Sequence, residues 1–246
     1  MARPASNGAI TDAAMTAAAN RTVRTGRPGQ GAGAGAALWI VLFLALGVGL
    51  FSYRYLLPVV PVGAPGPLAN RFTHYGVLAV HAGFAATALV IGPLQFFAAI
   101  RTHHPRWHRR IGTAYVTFCL IGGAAGLPLA LGSTEGPVAT AGFGSLALAW
   151  LGVTGNAWRL ARERDFVRHR RWMIRSYALT FAAVTLRLYL PLIPFMHLGF
   201  DWGYRAISFA CWIPNLIVAE LWLRGDASRP EFRTSPPIAA PSQTPG

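Results

Sequence analysis

Six long apolar segments dominate the chain, and most of the arginines lie outside them. Each segment is near the ~20 residues that a helix needs to cross the hydrocarbon core of a bilayer. They cover residues 37–56, 75–100, 111–131, 138–160, 172–196 and 204–223. The pattern predicts an all-α membrane protein with about six transmembrane helices, in a domain that covers residues 37–224.

The two ends of the chain have a different pattern. Residues 1–36 and 225–246 consist mainly of small and polar residues with few large apolar side chains. Such segments cannot bury enough apolar surface to offset the entropy cost of ordering. Both are therefore predicted to be disordered tails, and the first apolar segment is predicted to be an uncleaved span.

The arginines of the connecting segments alternate along the chain between many and few. The rich segments are the N-terminal tail, the second and fourth connections and the C-terminal tail. Because arginine accumulates in short cytoplasmic loops, this alternation predicts that both termini are cytoplasmic. We expect a multi-pass protein of a bacterial inner membrane, since an arginine-rich chain without lysine is typical of a GC-rich bacterial genome.

The formal net charge of +14 comes from arginine alone. Since these arginines lie between apolar segments and form no single soluble face, they indicate contact with anionic lipid headgroups and no nucleic acid. The two cysteines, Cys119 and Cys211, lie singly inside apolar segments, which indicates neither a disulfide nor a zinc site. No phosphate loop or nucleophile and base pattern occurs either, so whether the protein is an enzyme stays open.

Small residues recur at helical spacing on one face of several spans. Span two has Ala85, Ala88 and Gly92 in line with His81 and Gln95, span three has three glycines between 122 and 126, and span four has a stripe from Gly142 to Asn156. Small side chains let helices approach closely in lipid. The stripes predict a central four-helix bundle of spans two to five with two flanking helices, or alternatively a slot for a flat cofactor.

Ionisable groups inside spans are costly and mark candidate sites. Arg187 and His81 are predicted to lie at similar depth toward the outer side, with Arg187 facing into the bundle. His74, Tyr189 and His197 complete this outer cluster, and Asp201 lies just outside it. Alternatively, Arg187 reaches toward the interface and His81 bonds to a backbone carbonyl.

A second cluster is predicted at the cytoplasmic side. It comprises Gln95, Arg101, His108, Asn156, His169, Arg175 and Glu220. Arg175 and Glu220 are expected to form a structural ion pair there. Both histidines open a His-Arg-Arg triplet, at 108–110 and 169–171, and the second triplet follows the first after 61 residues, which suggests a duplicated hairpin.

These motifs resemble a family of bacterial predicted membrane proteins known only as a domain of unknown function. The resemblance covers residues 74–196 and rests on His81, Gly92-Pro93-Leu94-Gln95-Phe96, Arg101, His108-Arg109 with Gly112 and Tyr115, His169-Arg170-Arg171-Trp172-Met173 with Arg175 and Ser176, and Arg187. At Thr113 the family pattern would have a basic residue. More distantly, the chain is similar to transmembrane b-type cytochromes, in which paired histidines hold haem.

The cytochrome resemblance implies a haem b electron-transfer protein. Its iron ligands would be His81 with His197 or His74 as an outer pair and His108 with His169 as an inner pair. Arg187 and Gln95 would be further cofactor contacts. The alternatives are a binding or transport protein for an anionic or quinone-like small molecule, with a quinone or redox protein as a partner, and a purely structural membrane subunit.

Overall fold

The computed structural model describes residues 29–57, 75–196 and 199–227, which are helical apart from short connections. No strand occurs in these three stretches. The α-helices are α1 (Gly29–Ser52), α2 (Tyr75–Ile91), α3 (Ala98–His103), α4 (Pro105–Leu131), α5 (Pro137–Arg162), α6 (Phe166–Thr180), α7 (Ala182–Tyr189), α8 (Phe200–Ala210) and α9 (Ile213–Ala227). Short 3-10 helices cover Tyr53–Leu56, Gly92–Phe96, Leu190–Leu192 and Pro194–Met196. The predicted all-α class is confirmed.

The chain divides into two compact units, residues 1–41 and 42–246. The described part of the first is the beginning of α1, from Gly29 to Val41. The second contains the rest of α1 and all the other helices. The tail predicted for 1–36 lies outside the described residues up to residue 28, and that predicted for 225–246 lies outside them from residue 228.

Five helical stretches in the described ranges are long and apolar enough to cross a membrane. They are Gly35–Leu56, Tyr75–Phe96, Pro105–Leu131, Pro137–Arg162 and Phe200–Gly225. The remaining predicted span, 172–196, is also mostly helical, but it is divided into α6, α7 and 3-10 turns and carries Arg175 and Arg187. Beyond Thr180, its residues Ala182 and Ile193 lie in a buried cluster against which Phe143 and Leu146 of α5 pack.

Helices α2, α4, α5 and α6 form the central bundle, with consecutive members antiparallel. The α2–α4 pair is aligned by His81, whose Nδ1 lies 2.8 Å from the Gly122 carbonyl oxygen. The α5–α6 pair is aligned by Trp150, which donates to Thr180 (2.9 Å), and by His169, whose Nδ1 lies 2.8 Å from the Ala157 oxygen. This arrangement matches the four-helix bundle predicted for spans two to five.

Helices α4 and α6 run in parallel with a constant register. Tyr115 bonds to Ser176 (3.0 Å) and Cys119 contacts Thr180 (3.9 Å), and each pair is separated by 61 residues in the chain. The same spacing separates the two His-Arg-Arg triplets. The triplets therefore lie side by side at one end of the bundle, called here the arginine-rich end, where α4 and α6 begin.

The flanking helices are held by a few specific contacts. The end of α1 approaches α2 at Gly49, where an added Cβ would lie 2.4 Å from Val90 Cγ2. On the other side, α8 meets α5 at Gly142, where an added Cβ would lie 2.1 Å from Ser208 Oγ. Helix α9 is joined to α6 by the predicted Arg175–Glu220 pair, which is confirmed with Arg175 Nη2 donating to Oε2 at 3.0 Å.

Local sequence explains where several helices begin and end. Pro105 opens α4 six residues before the predicted start at 111, because proline suits the first helical turn. Asp165 caps α6 by accepting a bond from the Arg168 backbone N–H at 2.9 Å. Gly136 has a φ of +92° in the turn from α4 to α5, a region that favours glycine. This turn and the start of α8 mark the end of the bundle opposite the arginines.

Candidate functional site

A cavity of about 1150 Å³ occupies the half of the bundle away from the arginine-rich end. It is enclosed by the end of α1, by α2, α4, α5, α6, α7 and α8, and by the turn between α4 and α5. Most of its wall is made of small or aliphatic residues, including Ala82, Ala85, Gly123, Gly126 and Ala147. Such a mainly apolar chamber with few polar groups is typical of a small-molecule site.

The predicted small-residue stripes form part of this wall and also set the helix spacing. An added Cβ on Gly122 would lie 3.2 Å from the Ala85 nitrogen, and one on Gly123 would lie 2.8 Å from Leu151 Cδ2. Helix α4 thus touches α2 and α5 through its glycines. Gly152, from the stripe predicted on span four, has open space around it. Gly152 is exposed and is not part of the cavity wall, so the stripes show close packing at Gly122 and Gly123, and the slot for a flat cofactor stays a prediction.

His81 lies in the cavity wall with a defined orientation. Its Nδ1 contacts the Gly122 carbonyl oxygen, which accepts only, so this nitrogen carries the proton. The neutral ring then has its lone pair on Nε2. Gly126 leaves the space for the ring, because an added Cβ there would lie 2.9 Å from Nδ1. The ring is therefore held by α4 while its second nitrogen is available as an acceptor or a ligand.

Arg187 lines the same cavity from α7. Its Nη1 donates to the Ala183 carbonyl oxygen at 2.9 Å. The ion pairs found among the described residues use Arg159, Arg168 and Arg175, so within those stretches no carboxylate neutralises Arg187. A half-buried cation within an apolar cavity retains donors for an anionic or oxygen-rich group.

His81 and Arg187 lie at the same level, as their positions in the sequence predict. Gly126, beside His81, follows Cys119 by seven residues, and Arg187 follows Thr180 by seven residues. Cys119 and Thr180 are in contact, so both functional groups lie about 10 Å further toward the opposite end at ~1.5 Å per residue.

The floor of the cavity is a buried cluster of hydrogen-bonded side chains. Thr180 accepts from Trp150 at 2.9 Å and bonds to the Tyr115 hydroxyl at 2.9 Å. Tyr115 also bonds to Ser176, which in turn lies 2.7 Å from the Thr154 hydroxyl. Tyr115 is 1% exposed, and Thr154 and Ser176 are fully buried. Each polar group is satisfied, so this layer separates the cavity from the arginine-rich end without an unpaired hydroxyl.

The mouth of the cavity carries acidic as well as basic groups. Glu135 and Asp201 line it together with Arg54, Tyr55 and Tyr204. Glu135 is only 9% exposed.

Glu135 is held through its backbone. Arg205 donates from Nε to the Glu135 carbonyl oxygen at 2.9 Å, and its guanidinium lies over the Trp202 ring. Among the described residues the carboxylate itself has no ion pair. The mouth thus contains a buried carboxylate that is not neutralised there.

The inner histidines lie at the arginine-rich end, far from this cavity. When the Gln95 amide is oriented to satisfy both of its groups, it donates to His108 Nδ1 at 2.7 Å and accepts from the Gly112 N–H at 3.3 Å. His169 is held by the Ala157 carbonyl. His108 precedes Gly122, the contact of His81, by 14 residues on α4, or about 21 Å.

The structure therefore divides the predicted ligand set. His81 and Arg187 share the cavity, whereas Gln95, His108 and His169 lie together at the other end. His74 and His197 lie outside the described residues. Within those residues no three of the His, Cys, Asp and Glu side chains gather as a metal site would require.

Three cavity groups were not singled out by the sequence. Trp150 and Thr180 read as ordinary interface and packing residues, and Glu135 as a residue of a short loop. Glu135 does stand alone among small polar residues between two spans, and this isolation is the one signal that marks it.

Helices of membrane length, a shared intramembrane cavity and arginines gathered at one end define a polytopic helical membrane protein. The chain belongs to the family described as predicted membrane protein (DUF2306), whose family model matches residues 78–223. The family resemblance is thereby confirmed, and the family's function is unknown. No curated protein and no solved structure matches the chain. The likeness to b-type cytochromes stays a prediction.

Proposed function

We propose that the protein binds a small amphipathic molecule in this cavity and holds its anionic or quinone-like oxygen group between Arg187 and His81. The observation that carries the proposal is Arg187, a cation without a carboxylate partner among the described residues, placed in an apolar chamber. A buried charge is costly unless an opposite charge or strong acceptors satisfy it. A bound anion or carbonyl supplies those acceptors.

Binding is favoured over transport by the floor of the cavity. Its hydroxyl cluster and the neighbouring Tyr177, whose hydroxyl donates to the Leu89 carbonyl oxygen at 3.2 Å, fill the bundle below Trp150. A transport path would have to break this satisfied layer. A one-sided binding site needs no such rearrangement.

The test is a binding titration on the full chain in mild detergent. The probes are dioctanoyl phosphatidylglycerol, which is anionic, and decylubiquinone, which is a neutral quinone. We expect at least one of them to raise the thermal unfolding midpoint, and Arg187→Gln to weaken its binding by about tenfold, because charge-assisted hydrogen bonds are lost. Arg159→Gln, an exposed arginine paired with Glu163, is the matched control. Equal binding by both variants, or none by the wild type, would contradict the proposal.

Haem b is the second candidate, and the orientation of His81 favours it. A histidine whose Nδ1–H is fixed by a carbonyl offers Nε2 to iron, as metal-bound histidines commonly do. Arg187 would then face a haem propionate. Gln95, His108 and His169 lie too far away to act at this haem, so they would require a second one.

Absorption spectra distinguish the two candidates. Haem would give a Soret band and a reduced alpha band in protein purified from haem-replete cells, both lost in His81→Ala. A colourless protein would exclude the electron-transfer function and leave the first candidate. A spectrum that persists in His81→Ala would show that iron is held elsewhere.

The placement in the cell is part of the same proposal. We place the protein in a bacterial inner membrane with both termini and the arginine-rich end cytoplasmic, because arginine-rich short loops are retained there. The arginines of α4 and α6 would then contact anionic lipid headgroups, while the cavity mouth faces the outer leaflet.

A further inference from the structure

We propose that the ligand of the cavity is zwitterionic: its acidic group binds Arg187 and a protonated amine binds Glu135, as in an aminophospholipid of the outer leaflet. This inference rests on the proposed function and adds a second recognition point to it. The chemistry is a phosphate or carboxylate, an ammonium group beyond it, and an apolar tail.

Glu135 provides a negative site in the same chamber as Arg187. It is 9% exposed, lines the cavity, and has no ion pair among the described residues. Arg205 approaches its backbone carbonyl and not its carboxylate. Within the described part of the chain, the carboxylate accepts one hydrogen bond, a weak one from the Thr134 hydroxyl at 3.5 Å. Because a buried carboxylate without a cation is costly, a ligand ammonium group here gains a charge-assisted bond.

The order of groups along the bundle matches that of a lipid in one leaflet. From the floor outward, the wall passes from Trp150 and Thr180 to His81 and Arg187, and then to Glu135 in the turn beyond the end of α4. Gly126, beside His81, is five residues from Leu131, the last residue of α4, so the two charged levels are separated by more than one helical turn. A lipid entering tail first places its acidic group deeper than its amine.

The deeper wall suits an acyl chain. Leu89, Ala86 and Trp150 line the cavity on the side of its floor. Apolar contact there stabilises a tail but does not select a headgroup. Selection between headgroups therefore depends on the two charged positions.

The experiment compares headgroups that differ in the amine. Dioctanoyl phosphatidylethanolamine and dioctanoyl phosphatidylglycerol are titrated separately against the full chain in mild detergent, with binding followed by native mass spectrometry and thermal unfolding. We expect wild type to prefer the ethanolamine lipid by about tenfold, and Glu135→Gln to abolish the preference by weakening that lipid alone. Glu163→Gln, an exposed acid at the arginine-rich end, is the control and should leave the preference unchanged.

Each outcome has a separate meaning. If Arg187→Gln weakens the binding of both lipids while Glu135→Gln changes the binding of neither, the inference of a zwitterionic ligand is wrong and the proposed function stands. If Glu135→Gln weakens both lipids equally, its role is structural and the zwitterion is again wrong. If neither lipid binds and Arg187→Gln does not weaken the binding of decylubiquinone, both proposals fail. Should Glu135→Gln not fold, an equal affinity of wild type for the two lipids is enough to overturn the inference.

Discussion

At the scale of single residues, the position of His81 depends on a glycine of a neighbouring helix. Its imidazole lies where a side chain at Gly126 would otherwise be, and the Gly122 carbonyl fixes its proton. Counting residues from the membrane surface predicts the depths of His81 and Arg187, because helical rise is constant. It does not predict which residue of α4 receives the ring, because that depends on the register between two helices.

Gly126→Ala tests this placement. The added methyl group lies 2.9 Å from Nδ1 and must displace the imidazole, so we expect a loss of about 1–3 kcal/mol in the free energy of unfolding. Ligand binding in the cavity should weaken as well. Thermal unfolding and probe titration measure the two effects.

Gly152→Ala is the matched control, since nothing lies within 4 Å of an added Cβ there. Alanine in that position should leave stability unchanged or raise it slightly, because it favours helix over coil. If both alanine variants behaved alike, the contact between α2 and α4 would not be as described.

At the scale of helices, the beginning of α6 depends on one exposed carboxylate. Asp165 accepts bonds from the backbone N–H and the Nε of Arg168, and these interactions, the backbone bond first, lower the pKa of Asp165. A carboxyl group whose pKa is lower in the folded state stabilises that state above its unfolded pKa of about 3.9. The stabilisation is lost as the pH falls through the folded pKa.

Asp165→Ala should therefore lower the thermal unfolding midpoint at neutral pH and have little effect in acid. The difference from wild type should shrink as the pH falls from about 4, where the unfolded chain takes up the proton, through the lower pKa of the folded state. Asp165→Asn retains a capping oxygen without a titrating charge, so its midpoint relative to Asp165→Ala should not follow this pH dependence. If the difference in unfolding midpoint between wild type and Asp165→Ala stayed constant as the pH fell well below 4, the ionised Asp165 carboxylate would not stabilise the start of α6.

The parallel register of α4 and α6 can be tested by a disulfide between the two helices. Cys119 Sγ lies 3.9 Å from Thr180 Oγ1, so Thr180→Cys should form a disulfide with the native Cys119 under mild oxidation. The other cysteine, Cys211, is removed by Cys211→Ala, and loss of free thiols is measured by alkylation and mass spectrometry.

Ser176→Cys in the same background is the control. Ser176 is one turn away from Thr180 and contacts Tyr115 instead. It should retain both thiols, because it faces Tyr115 and not Cys119. If the control formed the disulfide and Thr180→Cys did not, the register between α4 and α6 would differ from the one described by one helical turn.

At the scale of the whole molecule, hydrophobic periodicity and arginine placement were enough to predict the all-α class, the helical bundle and the grouping of the inner histidines. Apolar length alone did not show that 172–196 ends in the 3-10 turns Leu190–Leu192 and Pro194–Met196, because such turns depend on local backbone geometry. The floor cluster escaped prediction for another reason. Tyr115, Trp150 and Thr180 belong to three different helices, and only their packed register brings the three side chains together.

Orientation is tested with fusions to the full chain. If the arginine-rich end is cytoplasmic, a fluorescent protein that folds only in the cytoplasm should be bright at either terminus. Alkaline phosphatase, active only outside, should be active when inserted next to Glu135 and inactive at the termini. The reverse pattern would place the cavity mouth in the cytoplasm and remove the argument for an outer-leaflet ligand.

The closed floor of the cavity determines from which side of the membrane a ligand can enter and leave. A chamber that opens at one end exchanges its contents with one leaflet or compartment only, so its occupancy follows the composition of that side. The parallel helices α4 and α6 both contact the floor and both begin at the arginine-rich end. A ligand that displaces the floor would therefore also displace α4 and α6, and both helices extend to the arginine-rich end. Such an arrangement fits the proposed one-sided binding site better than it fits a transport path.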